Sequence, residues 1–174
     1  MDFEDLCYLS AGQLSQFIKK KDVSPVEVIK AHLTRIDALE PSLNSFITVM
    51  HDQAMEDARK AEQEIRTGRY RGPLHGIPVG VKDLFYLKGV RNTSGSKIFD
   101  RFIPDFDATL ISRLKEAGVI LLGKLNLHQF AYGATGENPD YGPMHNPWDP
   151  ERITGGSSGG SASATASGQC AFSL

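Results

Sequence analysis

The sequence predicts an α/β fold, a mixed, largely parallel sheet with covering helices, and three observations carry that expectation. Two short apolar runs, Ile77 to Val81 and Val119 to Leu122, flank a helical stretch from Asp107 to Ala117, which is the strand, helix, strand order of a parallel sheet. The residues before them read as amphipathic helices with defined start and stop signals. A glycine- and serine-rich stretch, Thr154 to Ser163, then opens into the small residues Ala162 to Ser167, as a tightly turned loop entering a closely packed helix would.

The 174 residues suit a single domain or a piece of a larger one, and 40% hydrophobic with 23% charged residues is enough for a real core. A net charge of -2 gives no field for nucleic acid or an anionic membrane. Cys7 and Cys170 stand far apart in no redox or metal spacing, which reads as reduced thiols of a cytoplasmic protein. Histidines 32, 51, 75, 128 and 145 form no paired ligand spacing, so no metal site is expected. The opening Met1-Asp2-Phe3-Glu4-Asp5 is acidic where a signal peptide is basic, and no run reaches membrane-spanning length.

Taken in order, Ser10 begins a helix through Lys20 with Leu14, Phe17 and Ile18 on one face. Lys19-Lys20-Lys21 suits the negative end of its dipole. Ser24-Pro25-Val26-Glu27 is a capping box with proline at the first helical position. The apolar stripe of Val28, Ile29, Leu33, Ile36 and Leu39 runs up to Pro41, which is expected to stop the helix. Asn44 to Met50 reads as a short strand, and a polar helix follows from about Asp52 to Thr67, closed by Gly68. Ile77 to Val81 is a buried strand that Lys82-Asp83 ends; a lysine there ordinarily runs its stem along the protein and its amine into water. Thr93-Ser94-Gly95-Ser96 is a polar turn, and Asp107 is expected to cap the helix that Gly118 ends. A second buried strand from Val119 to Leu122 runs into Gly123-Lys124-Leu125-Asn126. Tyr132 to Pro143 is a long loop rich in turn residues, and loops of that length usually carry function.

The Thr154 to Ser163 stretch has the composition of a flexible linker, but it stands between an aromatic segment, Asn146-Pro147-Trp148, and an alanine-rich run. It lacks the Gly-Lys-Ser/Thr ending and the Gly-x-Gly-x-x-Gly spacing of phosphate-cradling loops.

The succession is more specific than its parts. Gly76-Ile77-Pro78-Val79-Gly80-Val81-Lys82-Asp83 is followed by Asp107-Ala108-Thr109, Leu114-Lys115-Glu116-Ala117-Gly118 and Gly123-Lys124-Leu125-Asn126. Asn146-Pro147-Trp148-Asp149 and Gly155-Gly156-Ser157-Ser158-Gly159-Gly160-Ser161 complete it. Together they closely resemble the amidase signature family over essentially the whole chain. The resemblance implies a truncated form of a large mixed sheet with helices on both faces, with residues 1–71 as a helical outer layer and 72–174 as an α/β portion continuing past the chain's end. It also implies a Ser-cisSer-Lys triad that hydrolyses a small-molecule amide to acid and ammonia through an acyl-enzyme. Lys82 matches the base and Ser157 the bridging serine preceded by a cis bond from Gly156. Ser158 either supports the site by hydrogen bonding or caps the following helix. Ala131, Tyr132 and Gly133 match a region lining the acyl pocket.

These residue types suit that chemistry. A serine hydroxyl needs a base, and an ordinary lysine with pKa ~10.4 holds its proton too firmly until burial lowers its affinity. The attacking serine belongs to a Gly-Thr-Asp-x-Gly-Gly-Ser type motif, placed by the resemblance about seven residues past Leu174. The nucleophile is therefore expected outside the chain, and the 174 residues alone are expected to be inert. Ser173 is no substitute, because it lacks a glycine-rich turn.

A free amidase is the expectation, with no cofactor, a small-molecule amide as partner, and a homodimer as one expected assembly. The alternative is the glutaminase component of a tRNA-dependent amidotransferase, with partner subunits that bring ATP; His128-Gln129-Phe130 stands where that component is expected to carry Asp-Glu-Phe. A non-catalytic remnant or interaction module is the third reading.

Overall fold

The computed structural model describes residues 3–174. In chain order it holds α1 (Phe3–Cys7), α2 (Ala11–Lys20), α3 (Pro25–Leu43), β1 (Phe46–Val49), α4 (His51–Arg66), β2 (Pro78–Lys82), α5 (Thr109–Ala117), β3 (Ile120–Leu125), β4 (His145–Asn146), β5 (Asp149–Ile153), α6 (Gly159–Ala166) and β6 (Phe172–Ser173). The main sheet runs β1-β3-β2-β6. β2 pairs parallel with both β3 and β6, while β1 pairs antiparallel with β3. The sheet is therefore mixed and largely parallel, as the strand, helix, strand order predicts.

Helices cover both faces. Ile120, Leu122 and Leu125 pack with Ile29, Leu33 and Ile36 of α3, the alanines of α4 and Ala164 of α6. Val79, Val81 and Leu121 meet Ile111 and Leu114 of α5. Both central strands are fully buried, which is why their sequences are continuous apolar runs. A third cluster joins Leu14 and Ile18 of α2 to Val28 and Ala31 of α3 and to Ile77. Residues 1–71 are not purely a helical layer, because β1 joins the sheet.

The helix starts follow local chemistry. Ser10 with Gln13 and Ser24 with Glu27 both form reciprocal capping boxes, satisfying backbone N–H groups that have no partner within the helix. Two sequence expectations need correction. Pro41 does not stop α3, which continues to Leu43 and ends at Asn44 in the left-handed conformation. A proline in the last turn costs one backbone hydrogen bond. Burial of Leu43 and two bonds from the Asn44 amide, to Tyr141 O (2.8 Å) and Pro143 O (3.0 Å), hold that turn in place. Asp107 does not cap α5 either. The N-cap is Ala108, while the Asp107 carboxylate accepts the Lys88 backbone N–H at 2.7 Å and pairs with Lys115 Nζ at 2.7 Å.

The second strand is longer than its apolar run, since Lys124 and Leu125 are part of β3. The small-residue helix starts earlier than its alanines suggest, at Gly159. The β4–β5 hairpin and the short α1 have no counterpart in the sequence reading. Among the described residues, no helix is long and apolar enough to cross a membrane.

Candidate active site

β2 ends on Lys82, whose backbone N–H bonds Leu174 O at 2.7 Å. Side chains alternate across a strand. Val79 and Val81 therefore face α5, and Lys82 emerges on the opposite face, where the loop before α6 lies. Its Nζ is 2.7 Å from Ser157 Oγ and 2.8 Å from Ser158 Oγ. The residue is only 8% exposed, so the expected run of its amine into water does not occur. Burial pushes the Lys82 amine below the ordinary lysine value, because the charged form loses its hydration.

The Gly156–Ser157 peptide bond is cis. Main-chain bonds hold the loop on both sides. Ser157 O accepts the His128 N–H at 3.0 Å, and the Gly160 N–H reaches Asn126 O at 3.1 Å. Gly156 lies against the 133–136 segment so closely that a Cβ would come within 2.8 Å of Gly136 N and 3.0 Å of Gly133 O. Ser158 occupies the N-cap position of α6 yet makes no capping bond, its hydroxyl being bonded to Lys82 instead.

The 131–133 segment runs beside this loop. Ala131 is half-buried with φ 57°, Gly133 packs on the His128 ring, and Tyr132 is 90% exposed. A cavity of about 810 Å³ lies elsewhere, lined by His51, Glu64, Arg71, His75 and Lys88 among others. The structure thus brings Lys82 and the two serines together.

Two features carried no assigned role in the sequence reading. Asp83 and Lys124, both fully buried, form an ion pair at 2.8 Å. The second Asp83 oxygen accepts the Thr93 N–H (2.7 Å) and hydroxyl (2.5 Å), and Lys124 Nζ also donates to Phe85 O (2.7 Å) and Asn92 Oδ1 (2.6 Å). Asn126 ties the end of β3 to two segments, donating its backbone N–H to Ser45 O and its side-chain amide to Asn44 O, and accepting from Asn138 Nδ2. The signal available was a lysine at or next to the end of each of two otherwise apolar strands.

Comparison with known proteins bears on this arrangement. The sequence pattern of the family described as Amidase matches residues 27–174. The chain belongs to the amidase family. Among its amidase relatives, the A subunit of glutamyl-tRNA(Gln) amidotransferase from Carboxydothermus hydrogenoformans is 45% identical over 170 residues, 98% of this chain and 35% of that protein. The solved peptide amidase of Stenotrophomonas maltophilia superposes with a TM-score of 0.88 at 34% identity, covering 94% of this chain and 35% of that one. A structure described as a vestigial protein complex that reveals the evolutionary origins of an s-triazine catabolic enzyme gives a TM-score of 0.90 at 39% identity, covering 93% of this chain and 36% of that one. The chain therefore spans about a third of the length of the relatives it matches.

Proposed function

We propose that the protein is an amidase of the Ser-cisSer-Lys type that hydrolyses a carboxamide to acid and ammonia. The carrying observation is the 2.7 Å contact between Lys82 Nζ and Ser157 Oγ, made by an amine that burial disposes to be neutral. A neutral amine accepts the Ser157 proton while Ser157 accepts one from an attacking serine. That oxygen bonds the amide carbon, the relayed proton returns to the leaving nitrogen, and water then releases the acyl group as acid. Ser158 holds the amine in line, and Gly156 allows the loop its close approach to the 133–136 segment. Ala131, Tyr132 and Gly133 border the acyl side. Among the described residues, the hydroxyls bonded to Lys82 are those of Ser157 and Ser158. The reading takes its attacking serine from another part of the protein and needs no cofactor.

In the whole protein, Lys82→Ala should lower kcat/KM by about a thousandfold with little change in KM. Activity should rise with pH as Lys82 loses its proton, with a midpoint below the usual ~10.4. Unchanged turnover in Lys82→Ala would overturn the assignment. The 174-residue chain alone should give no turnover.

A second reading, the glutaminase component of a tRNA-dependent amidotransferase, is favoured by the 45% identity to the amidotransferase relative. The His128-Gln129-Phe130 departure argues against it less than its sequence suggests. Gln129 Nε2 donates to Asp140 Oδ2 at 2.9 Å, where a glutamate would set two carboxylates together. The departure is thus part of a local structural pairing. Glutamine-dependent ammonia release that requires copurified partner subunits, with ATP used by a partner, would favour this reading. Turnover of simple amides by the protein alone would favour the free amidase.

A further inference from the structure

We propose that Lys124 is a positioning residue for Lys82: it takes up the Asp83 carboxylate on the far side of the strand and leaves the Lys82 amine facing hydroxyls alone. The inference rests on the reading of Lys82 as a base.

Asp83 follows Lys82 directly, is fully buried, and would be the nearest counter-ion for an ammonium at position 82. A carboxylate beside a lysine favours the protonated form, the wrong form for a base. Strand alternation sends the Asp83 side chain to the opposite face from Lys82. There Lys124, which stands opposite Val81 in the parallel β2–β3 register, meets it. Asp83 Oδ1 has the Lys124 ion pair but no well-aligned hydrogen bond, while Oδ2 takes both Thr93 donors. Three oxygens, of the Asp83 carboxylate, Phe85 and Asn92, surround Lys124 Nζ, and with Asp83 ionised each of them is an acceptor only. A neutral amine would turn a lone pair toward one of these acceptors, so the geometry calls for the ammonium. Burial pushes the Lys124 amine below the ordinary lysine value, and the Asp83 carboxylate opposes that shift.

The two buried lysines therefore divide the work. Lys124 carries a charge that cancels Asp83, and Lys82 is left without a carboxylate partner. The charged groups around Lys82 are Asp83, which follows it directly, and Lys124 on β3, while the Leu174 carbonyl oxygen beside β2 accepts the Lys82 backbone N–H. From the loop before α6, Lys82 meets the Ser157 and Ser158 hydroxyls only.

The test is the titration of Lys82 itself, followed by NMR in the whole protein labelled at lysine Cε, with the resonance assigned by its loss in Lys82→Arg. Lys124→Met should raise the Lys82 midpoint by about one pH unit or more, a tenfold gain in proton affinity. Asp83→Asn should lower it, and the double variant should return it close to the wild-type value. A purely structural pair would move stability without this pattern of opposite shifts. An unmoved midpoint in a Lys124→Met chain with unchanged circular dichroism would overturn the proposal, as would a double variant shifted as far as Lys124→Met. Should Lys124→Met fail to fold, Asp83→Asn decides, an unchanged midpoint again overturning it. The readout needs no turnover, so a whole protein still active as Lys82→Ala would remove the functional reading while leaving this result in place.

Discussion

α3 and α6 reach the same face of the sheet by opposite means. α3 brings Ile29, Leu33 and Ile36 into the core, each side chain contributing about 1.5–3 kcal/mol on burial. It is started by its own capping box. α6 buries Gly159, Gly160, Ser161, Ser163 and Ala164, and its N-cap serine makes no capping bond. What holds it is proximity. Gly160 N–H bonds Asn126 O, Ser163 Oγ donates to His145 O at 2.9 Å, and Ser45 Oγ donates to Ser163 Oγ at 3.0 Å. A helix made of side chains with little apolar area can stand only where neighbouring backbone comes close enough to bond it. That closeness brings the loop carrying Ser157 and Ser158 to Lys82.

The sharpest way to break this contrast is to give α6 a side chain. A Cβ at Gly160 would lie 2.4 Å from Ser45 O and 2.5 Å from Asn126 O, both backbone atoms, so Gly160→Ala should destabilise the fold by about 3 kcal/mol or more. Urea denaturation measures it, and a loss under about 1 kcal/mol would mean that the helix can move away without cost.

The second test concerns the charge α3 hides. His32 is fully buried, its Nδ1–H donates to Val28 O at 2.8 Å, and its Nε2 has no partner. Burial pushes its pKa down to about 4. The unfolded chain, with an ordinary value near 6.5, binds the proton more readily. His32 therefore leaves stability whole above about pH 6.5, and roughly 3 kcal/mol is lost as pH falls toward 4. Denaturation midpoints across that window should fall less steeply in His32→Gln. Identical slopes would reject the account.

The smallest effect is at the α3 cap, where Ser24→Ala should cost about 1 kcal/mol. No corresponding loss of capping is expected from Ser158→Ala, because the Ser158 hydroxyl is engaged with Lys82. Equal losses by thermal melting would blur the distinction between the two helices.

Much of the fold was legible. The Ser24-Pro25-Val26-Glu27 box, the buried runs of β2 and β3 and the glycine after α5 act through residues a few positions apart. α1 was not legible, because a five-residue helix has no periodicity to read; it stands on contacts that bury Leu6 and Cys7. Asp107 misled for a similar reason, since a carboxylate that could cap α5 is taken by Lys88 and Lys115. At the site, residue types and order pointed to Lys82 and the serines through a family resemblance. Nothing local announced that Asp83 would find Lys124.

The sequence alone determined the longer helices and the central strands, where α2 and α3 begin, and that a glycine-serine loop precedes a helix of small residues. Those outcomes depend on hydrogen bonds and periodicities spanning a turn or a strand. The tertiary structure decided which of two buried lysines meets a carboxylate and which meets hydroxyls. Desolvation and ion pairing depend on atoms brought together from distant parts of the chain, and strand register and helix approach, which no local pattern encodes, set those distances.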